Sequence, residues 1–318
     1  MIECMKAGSK SWELDSLPWG TSDFFVSVKE DGYRVRITRY GVYSKTLKPY
    51  PNKAFRDEML ILMDALRPDG EFIEAEVVCP EFGQCGFLKA TEASIPAGTR
   101  VVCFDCYHPV WSDATYLDRR HALERTLRYV ALTSTASVLQ NMVCKIFMSG
   151  GKVFGEYDQE VIEFSENVLQ SRPDIEGFIA IDVDLKYTPG RLKDGQGIFK
   201  ILRYETCDAV IVGINEGLMK IPGHATKRNP DGSAKRVSRG SKIPSGTFGS
   251  FTVRCVGGQF DGKEVNIGRW EGFTKAFGDH IWNNQQDFMG RTVRFLTKPG
   301  AKNLPRLPKK FEFRDDKE

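Results

Sequence analysis

Lys29-Glu30-Asp31-Gly32-Tyr33-Arg34 places a lysine, carboxylates, a glycine and an arginine in six positions between two apolar, strand-like runs. The flanks Phe24-Phe25-Val26 and Val35-Arg36-Ile37 read as paired strands, with Asp31-Gly32 supplying the tight turn between them. That reading holds Lys29 at the end of a buried strand. A lysine that is desolvated or crowded by other cations loses its proton more readily and becomes a nucleophile at neutral pH. Taken alone, Lys-x-Asp-Gly is an ordinary charged hairpin, so the rest of the chain has to decide between the two readings.

With 318 residues, 41% of them hydrophobic, the chain can bury one large core or two modest ones, and the usual domain size favours two. The net charge of +3 hides an asymmetry: residues 205 to 318 carry 20 Lys+Arg against 13 Asp+Glu, and residues 1 to 204 carry 25 against 29. A basic final third fits a polyanionic partner, although a charge excess is more often a solvated face. No apolar run reaches the length of a membrane span, and Met1-Ile2-Glu3-Cys4-Met5-Lys6 lacks a signal peptide's apolar stretch, so a soluble, intracellular protein is expected. Eight cysteines in a chain this long are expected as reduced thiols. Cys103 and Cys106 have the spacing of half a zinc site, with Cys79 and Cys85 as conceivable partners, but strand alternation points the two thiols to opposite faces. His108, His121, His224 and His280 form no ligand-spaced pair.

Residues 1 to 20 are a polar lead-in with Trp12, Pro18 and Trp19 and suggest no role. Asn52 caps a helix carrying Phe55, Met59, Leu62, Met63 and Leu66 on one face, ended by Pro68-Asp69-Gly70. A strand at Phe72 to Cys79 and the Cys103 strand follow. Leu117 to Leu132 and Gln159 to Gln170 read as amphipathic helices, the second opened by Asp158 and closed before Pro173. Strands at Gly177 to Val183 and Cys207 to Ile214 bracket a polar loop. This alternation predicts an α+β class. From Asp208 the pattern changes to short strands and turns, at Val210-Ile211-Val212, Gly249 to Cys255, Glu264 to Ile267 and Thr292 to Leu296, which suits a small five-stranded barrel of the OB type. The boundary is expected near Tyr204.

Six further segments stand in order along the chain: Ser44-Lys45-Thr46-Leu47-Lys48-Pro49, Phe72-Ile73-Glu74-Ala75-Glu76, Val102-Cys103-Phe104-Asp105, Ile175-Glu176-Gly177-Phe178-Ile179, Phe199-Lys200-Ile201-Leu202 and Phe313-Arg314-Asp315-Asp316-Lys317. Singly each is weak, since Glu76 and Glu176 are acidic residues beside strands, Phe104 is a natural core residue, and the last segment reads equally as a solvated tail. Together with Lys29-x-Asp31-Gly32-x-Arg34, their order resembles that of the covalent nucleotidyltransferases: DNA ligases, RNA ligases and mRNA capping enzymes. The Ser44 segment is similar to one found in phage-type DNA ligases, with Lys45 where arginine is usual. Two departures stand out, since the family's motifs place lysine at the positions of Ile181 and Leu202. Arg203 is adjacent but falls on the opposite side of a strand.

The resemblance implies a nucleotidyltransferase (ATP-grasp-like) domain over residues 1–204 and an OB-fold domain over 205–318. It implies that Lys29 becomes joined to AMP, that Lys200 contacts the α-phosphate, that Arg34 and Glu76 hold the ribose, and that Phe104 stacks on adenine. Glu176, with Glu76, would hold Mg²⁺. Arg314 and Lys317, oriented by Asp316, would close over the outer phosphates of ATP. The activity implied is that of a minimal, virus-like DNA ligase working as a monomer on nicked duplex DNA, in replication or repair, in the cytoplasm of an infected cell if the source is a phage. A capping guanylyltransferase, an RNA ligase and an inactive DNA-binding protein are the alternatives. DNA contacts are expected from Lys45 and Lys48. They are also expected from Lys227, Arg228, Lys235, Arg236 and Arg239 in a basic insertion, residues 220–249, with seven Lys+Arg against the single Asp231. Asn229-Pro230-Asp231-Gly232 would be its hairpin turn.

Overall fold

Alternation along Phe24-Phe25-Val26-Ser27-Val28-Lys29 determines how the first strand is used in the computed structural model, which describes residues 3–66, 71–134, 142–172, 175–222, 228, 230, 242–270, 272–298, 304, 305 and 308–314. Two compact units are found, the first running to Leu202 and taking in Arg228, the second starting at Arg203. In the first unit, β1 (Phe24–Lys29) lies in an antiparallel sheet with β7 (Gly151–Phe154), β8 (Gly177–Asp182) and β9 (Ile198–Leu202), in the order β7-β1-β8-β9. Phe24, Val26, Phe178, Ala180, Phe199 and Ile201 occupy one face and pack on Val161 and Phe164 of helix α3 (Gln159–Ser171). Lys29, Ser27, Ile179, Ile181, Ile198 and Lys200 line a cavity on the other.

The second sheet has the order β3-β2-β4-β5-β6, built from β2 (Tyr33–Thr38), β3 (Gly41–Ser44), β4 (Phe72–Val78), β5 (Arg100–Tyr107) and β6 (Lys145–Met148). All pairings are antiparallel except β5 with β6. Its core face, with Val35, Ile37, Ile73, Ala75 and Val77, joins one cluster with α1 (Lys53–Ala65) and α2 (Tyr116–Thr133). Asn52 caps α1 by accepting from Phe55 N at 2.8 Å, and Phe55, Met59, Leu62 and Met63 are buried as expected. The predicted stop at Pro68-Asp69-Gly70, like Pro173, lies outside the described residues.

β1 and β2 do not form the expected hairpin. β1 pairs with β7 and β8, while β2 pairs with β3 and β4, so Glu30, Asp31 and Gly32 cross from one sheet to the other. Gly32 serves close approach: a Cβ there would stand 2.2 Å from the carbonyl oxygen of Val77. The expectation for the thiols is also corrected. Glu74 and Ala75 pair with Asp105 and Cys103, which leaves Phe104 as the extra residue of a bulge. The bulge resets the alternation, so Cys103 and Cys106 share the core face. Burial pushes the Cys103 thiol up to about 12.

In the second unit, one antiparallel sheet has the order β12-β11-β10-β13-β14, formed by β10 (Glu205–Lys220), β11 (Lys242–Val256), β12 (Glu264–Ile267), β13 (Thr292–Thr297) and β14 (Lys309–Phe313). Its core is aromatic: Phe248, Phe251 and Phe295 are buried, and Trp270 stacks on Phe311 at 4.4 Å. Helix α4 (Lys275–Asn283), capped by Thr274, falls between the third and fourth strands. The first two strands, of 16 and 15 residues, are much longer than their apolar patterns suggest and stay paired out to Lys220 opposite Lys242. Three register shifts break the alternation that would have revealed them. Lys220 and residues 242–249, the described ends of the expected insertion, thus belong to β10 and β11.

Among the described residues no helix is long and apolar enough to cross a membrane.

Candidate active site

A cavity of about 530 Å³ opens between the two sheets of the first unit, within the range of small-molecule sites. Lys29 reaches it from the last position of β1. Its Nζ donates to Oε2 of Glu176 at 2.5 Å, and the two side chains are 24% and 7% exposed, so the pair is largely shielded from solvent. Glu176 is held there by its neighbour. Gly177, directly opposite Lys29, has φ +143°, and a Cβ would meet the Ile201 carbonyl oxygen at 2.0 Å, so only glycine lets the chain enter β8.

The facing wall comes from the second sheet. Arg34 lies across from Glu76 on β4, forms an ion pair with Glu74, and holds its guanidinium 5.1 Å from the Phe104 ring. Phe104 lines the cavity from the bulge in β5. Beneath it, Arg36 is fully buried, donates to Glu74 Oε1 at 2.7 Å and to the Tyr187 hydroxyl at 2.9 Å, and stacks on Phe72 at 3.7 Å. Breaking such a buried pair costs about 3–5 kcal/mol because the survivor is left charged without compensation. This layer forms a rigid floor.

Burial, the largest cause, pushes the Glu76 carboxyl up to about 7; Lys29 and Arg34 work against it, while Glu176 and Asp31 add to it. A raised native pKa means that the protonated carboxyl favours the folded state below the ordinary carboxylate range, an advantage lost as the pH climbs toward 7. Glu76→Gln is therefore expected to gain stability over the parent between about pH 5 and about pH 8, on the order of 2 kcal/mol after allowing for partial exposure. Thermal melts at both ends of that range check this; a difference that stays constant with pH contradicts it.

Lys200 also lines the cavity, and its Nζ donates to the Ser9 carbonyl at 3.2 Å. Ile181 lines it too, so the position where the resemblance asks for lysine is an apolar part of the wall. Lys45, expected on DNA, lines the cavity as well, whereas Lys48 is exposed on the same turn. In the second unit, Arg314 N donates to Thr292 O at 2.9 Å and its guanidinium lies 3.9 Å from Asp208, which Arg294 grips in a two-pronged ion pair. Arg228 is exposed. Asp316, Lys317, Lys227, Lys235, Arg236 and Arg239 lie outside the described residues.

Several wall residues carry no local signature. Met5, Lys6 and Ala7, from the lead-in that suggested no role, line the cavity with Arg191. Backbone bonds fix them: Lys6 N to Gly190 O at 2.8 Å, Leu192 N to Lys6 O at 2.9 Å, and Met5 N to the Tyr187 hydroxyl at 3.0 Å. Lys6 and Arg191 become neighbours only through folding. The cavity therefore presents Lys6, Lys29, Arg34, Lys45, Arg191 and Lys200, with an aromatic ring and apolar strand residues between them, which suits a ligand with a flat apolar part and several negative charges.

No protein-family model matches the chain, and no curated protein matches it in sequence. Solved structures do match in fold. The chain is similar to Chlorella virus DNA ligase-adenylate with a TM-score of 0.51 and 18% identity, over 100% of this chain and 99% of that one. It is similar to a Lig E DNA ligase with a TM-score of 0.62 and 15% identity, over 99% and 100%. A third match, named Pmar-Lig, has a TM-score of 0.66 and 16% identity, over 99% of this chain and 68% of that one. At these identities the likeness establishes the fold: a mixed α/β chain built as those ligase structures are, along nearly its whole length.

Proposed function

We propose that the chain is an ATP-dependent DNA ligase that seals nicks through a lysine-AMP and then a DNA-adenylate. The observation that carries the reading is Lys29, held by Glu176 in a cation-lined cavity whose opposite wall presents Arg34, Glu76 and Phe104. In the first step Lys29 Nζ, having given up a proton, bonds to the α-phosphorus of ATP as the bond to pyrophosphate breaks. Glu176 orients the amine, Lys200 reaches the phosphate, Arg34 and Glu76 face the ribose, and Phe104 stacks on the base. AMP then passes to a 5′-phosphate at the nick, and the 3′-hydroxyl displaces it. The donor set fits Mg²⁺: the charge on Glu176 acts on Glu76, and such hard carboxylate oxygens suit that ion. When bound, it would supply neutralisation of charge on the phosphate oxygens.

The domain reading that supports this function puts adenylation in residues 1–204 and an OB fold in 205–318. Support comes from the strand order and from the helix between the third and fourth strands. The protein would act as a monomer in the cytoplasm, in replication or repair, for a phage if its source is one. Incubation with α-labelled ATP or GTP and Mg²⁺, followed by denaturation, tests the activity. Labelling by GTP alone would make it a capping guanylyltransferase, and no labelling would leave a DNA-binding protein.

The basic insertion is assigned to duplex DNA. Its paired arms carry Lys220 and Lys242 opposite each other, and apolar Leu218, Met219 and Ile243 are exposed beside them. Replacing Lys227, Arg228, Lys235, Arg236 and Arg239 by alanine is expected to weaken nicked-DNA binding about 10-fold or more at moderate salt. It should also flatten the slope against log salt and leave Lys29 adenylation near normal. Unchanged affinity and slope would reduce the segment to a surface loop.

A further inference from the structure

Glu30, the residue immediately after the nucleophile, has its carboxylate between two guanidinium groups. Arg100 donates at 3.5 and 3.3 Å and Arg172 at 3.5 and 3.1 Å, each to both carboxylate oxygens. The Glu30 side chain is 11% exposed and the arginines about a third, so the triad is partly shielded. The origins of the arginines give it meaning. Arg100 opens β5, the strand that carries Phe104 four residues on. Arg172 is the C-cap of α3, four residues before Glu176, and its carbonyl accepts from Ile175 N at 3.3 Å. One carboxylate thus ties the segment crossing between sheets to both walls of the cavity, beside the point where the β1 ladder ends.

We propose that Glu30 is a positioning residue: through Arg100 and Arg172 it fixes the spacing of the two cavity walls and aims the Lys29 amine at its target. Glu30 borders the cavity, but both of its carboxylate oxygens are taken up by Arg100 and Arg172, so its effect on the reaction runs through the placement of Lys29. A small displacement of a reacting group is enough to lower a rate about 100-fold. The inference rests on the ligase reading and deepens it.

The test compares Glu30→Gln, Arg100→Gln, Arg172→Gln and the Glu30→Gln/Arg100→Gln pair with the parent. Glu30→Gln is expected to slow Lys29 adenylation at saturating ATP by at least about 10-fold, with ATP affinity and the sealing of a pre-adenylated nick changed less than about 3-fold. The double variant should be little worse than Glu30→Gln, because the three groups act as a unit, and Glu30→Asp should recover part of the rate. Equal losses in adenylation and in sealing would mean that the triad only supports folding, and additive losses would mean separate roles; either overturns the proposal. Acylation of Lys29 by an amine-selective reagent, followed by peptide mass spectrometry, gives a readout that needs no ATP. Failure of the parent to label with ATP would defeat the ligase reading, whereas an acylation rate unaltered in Glu30→Gln would defeat the clasp.

Discussion

Lys29→Ala is expected to lose covalent labelling by ATP entirely, a fall on the order of 1000-fold or more, because the reaction needs an amine as nucleophile and the variant removes the one assigned that role, Lys200 being assigned to hold the phosphate. Lys6, Lys45, Arg191 and Lys200 line the same cavity, and the amine of Lys29 is held by Glu176. The cavity itself should survive. Its floor is the Arg36, Glu74 and Tyr187 layer, and its aromatic side is fixed by the β5 bulge, neither of which involves the Lys29 side chain. ATP binding measured by calorimetry should therefore persist in the variant. Residual labelling at another lysine would show that the nucleophile has been misassigned, and lost binding together with lost labelling would point to a folding defect.

Arg314→Ala is the second large effect. It is expected to slow Lys29 adenylation on the order of 100-fold, the usual cost of removing one charge-stabilising donor, while sealing of a pre-adenylated nick stays within about 3-fold. The difference follows from the chemistry, since pyrophosphate leaves only in the first step. Within its own unit Arg314 is anchored by its backbone to Thr292 and lies beside Asp208, whose carboxylate is already gripped by Arg294. Removing the guanidinium thus leaves Asp208 paired and the sheet intact. Rate measurements on both steps separate the outcomes: equal loss in both would show that Arg314 serves the fold of the second unit.

How much was legible in the sequence depended on whether a residue's role was local. The caps at Asn52 and Asp158 were readable because capping is decided within one turn, whereas the Thr115 cap of α2 was not read. Lys29, Arg34, Glu76, Phe104, Glu176 and Lys200 were readable as short segments in order, and the fold brings their side chains to one cavity and its edge. The hairpin reading of Asp31-Gly32 failed because partner choice is tertiary: the same glycine suits a tight turn and a close pass over Val77. The faces of Cys103 and Cys106 were misjudged because a single extra residue, Phe104, inverts a period of two. Lys6 and Arg191 are neighbours across almost the whole first unit, and no spacing rule reaches that far.

The central claim is that the Lys29 amine attacks ATP, and its most direct test is to incubate the purified chain with equal ATP and GTP and Mg²⁺, digest it, and locate the adduct by mass spectrometry. One adenylyl group is expected, on the peptide containing Lys29, and it should be lost when free ATP is removed and nicked DNA added. A guanylyl adduct alone, an adenylyl group on any other residue, or an unmodified Lys29 would contradict it.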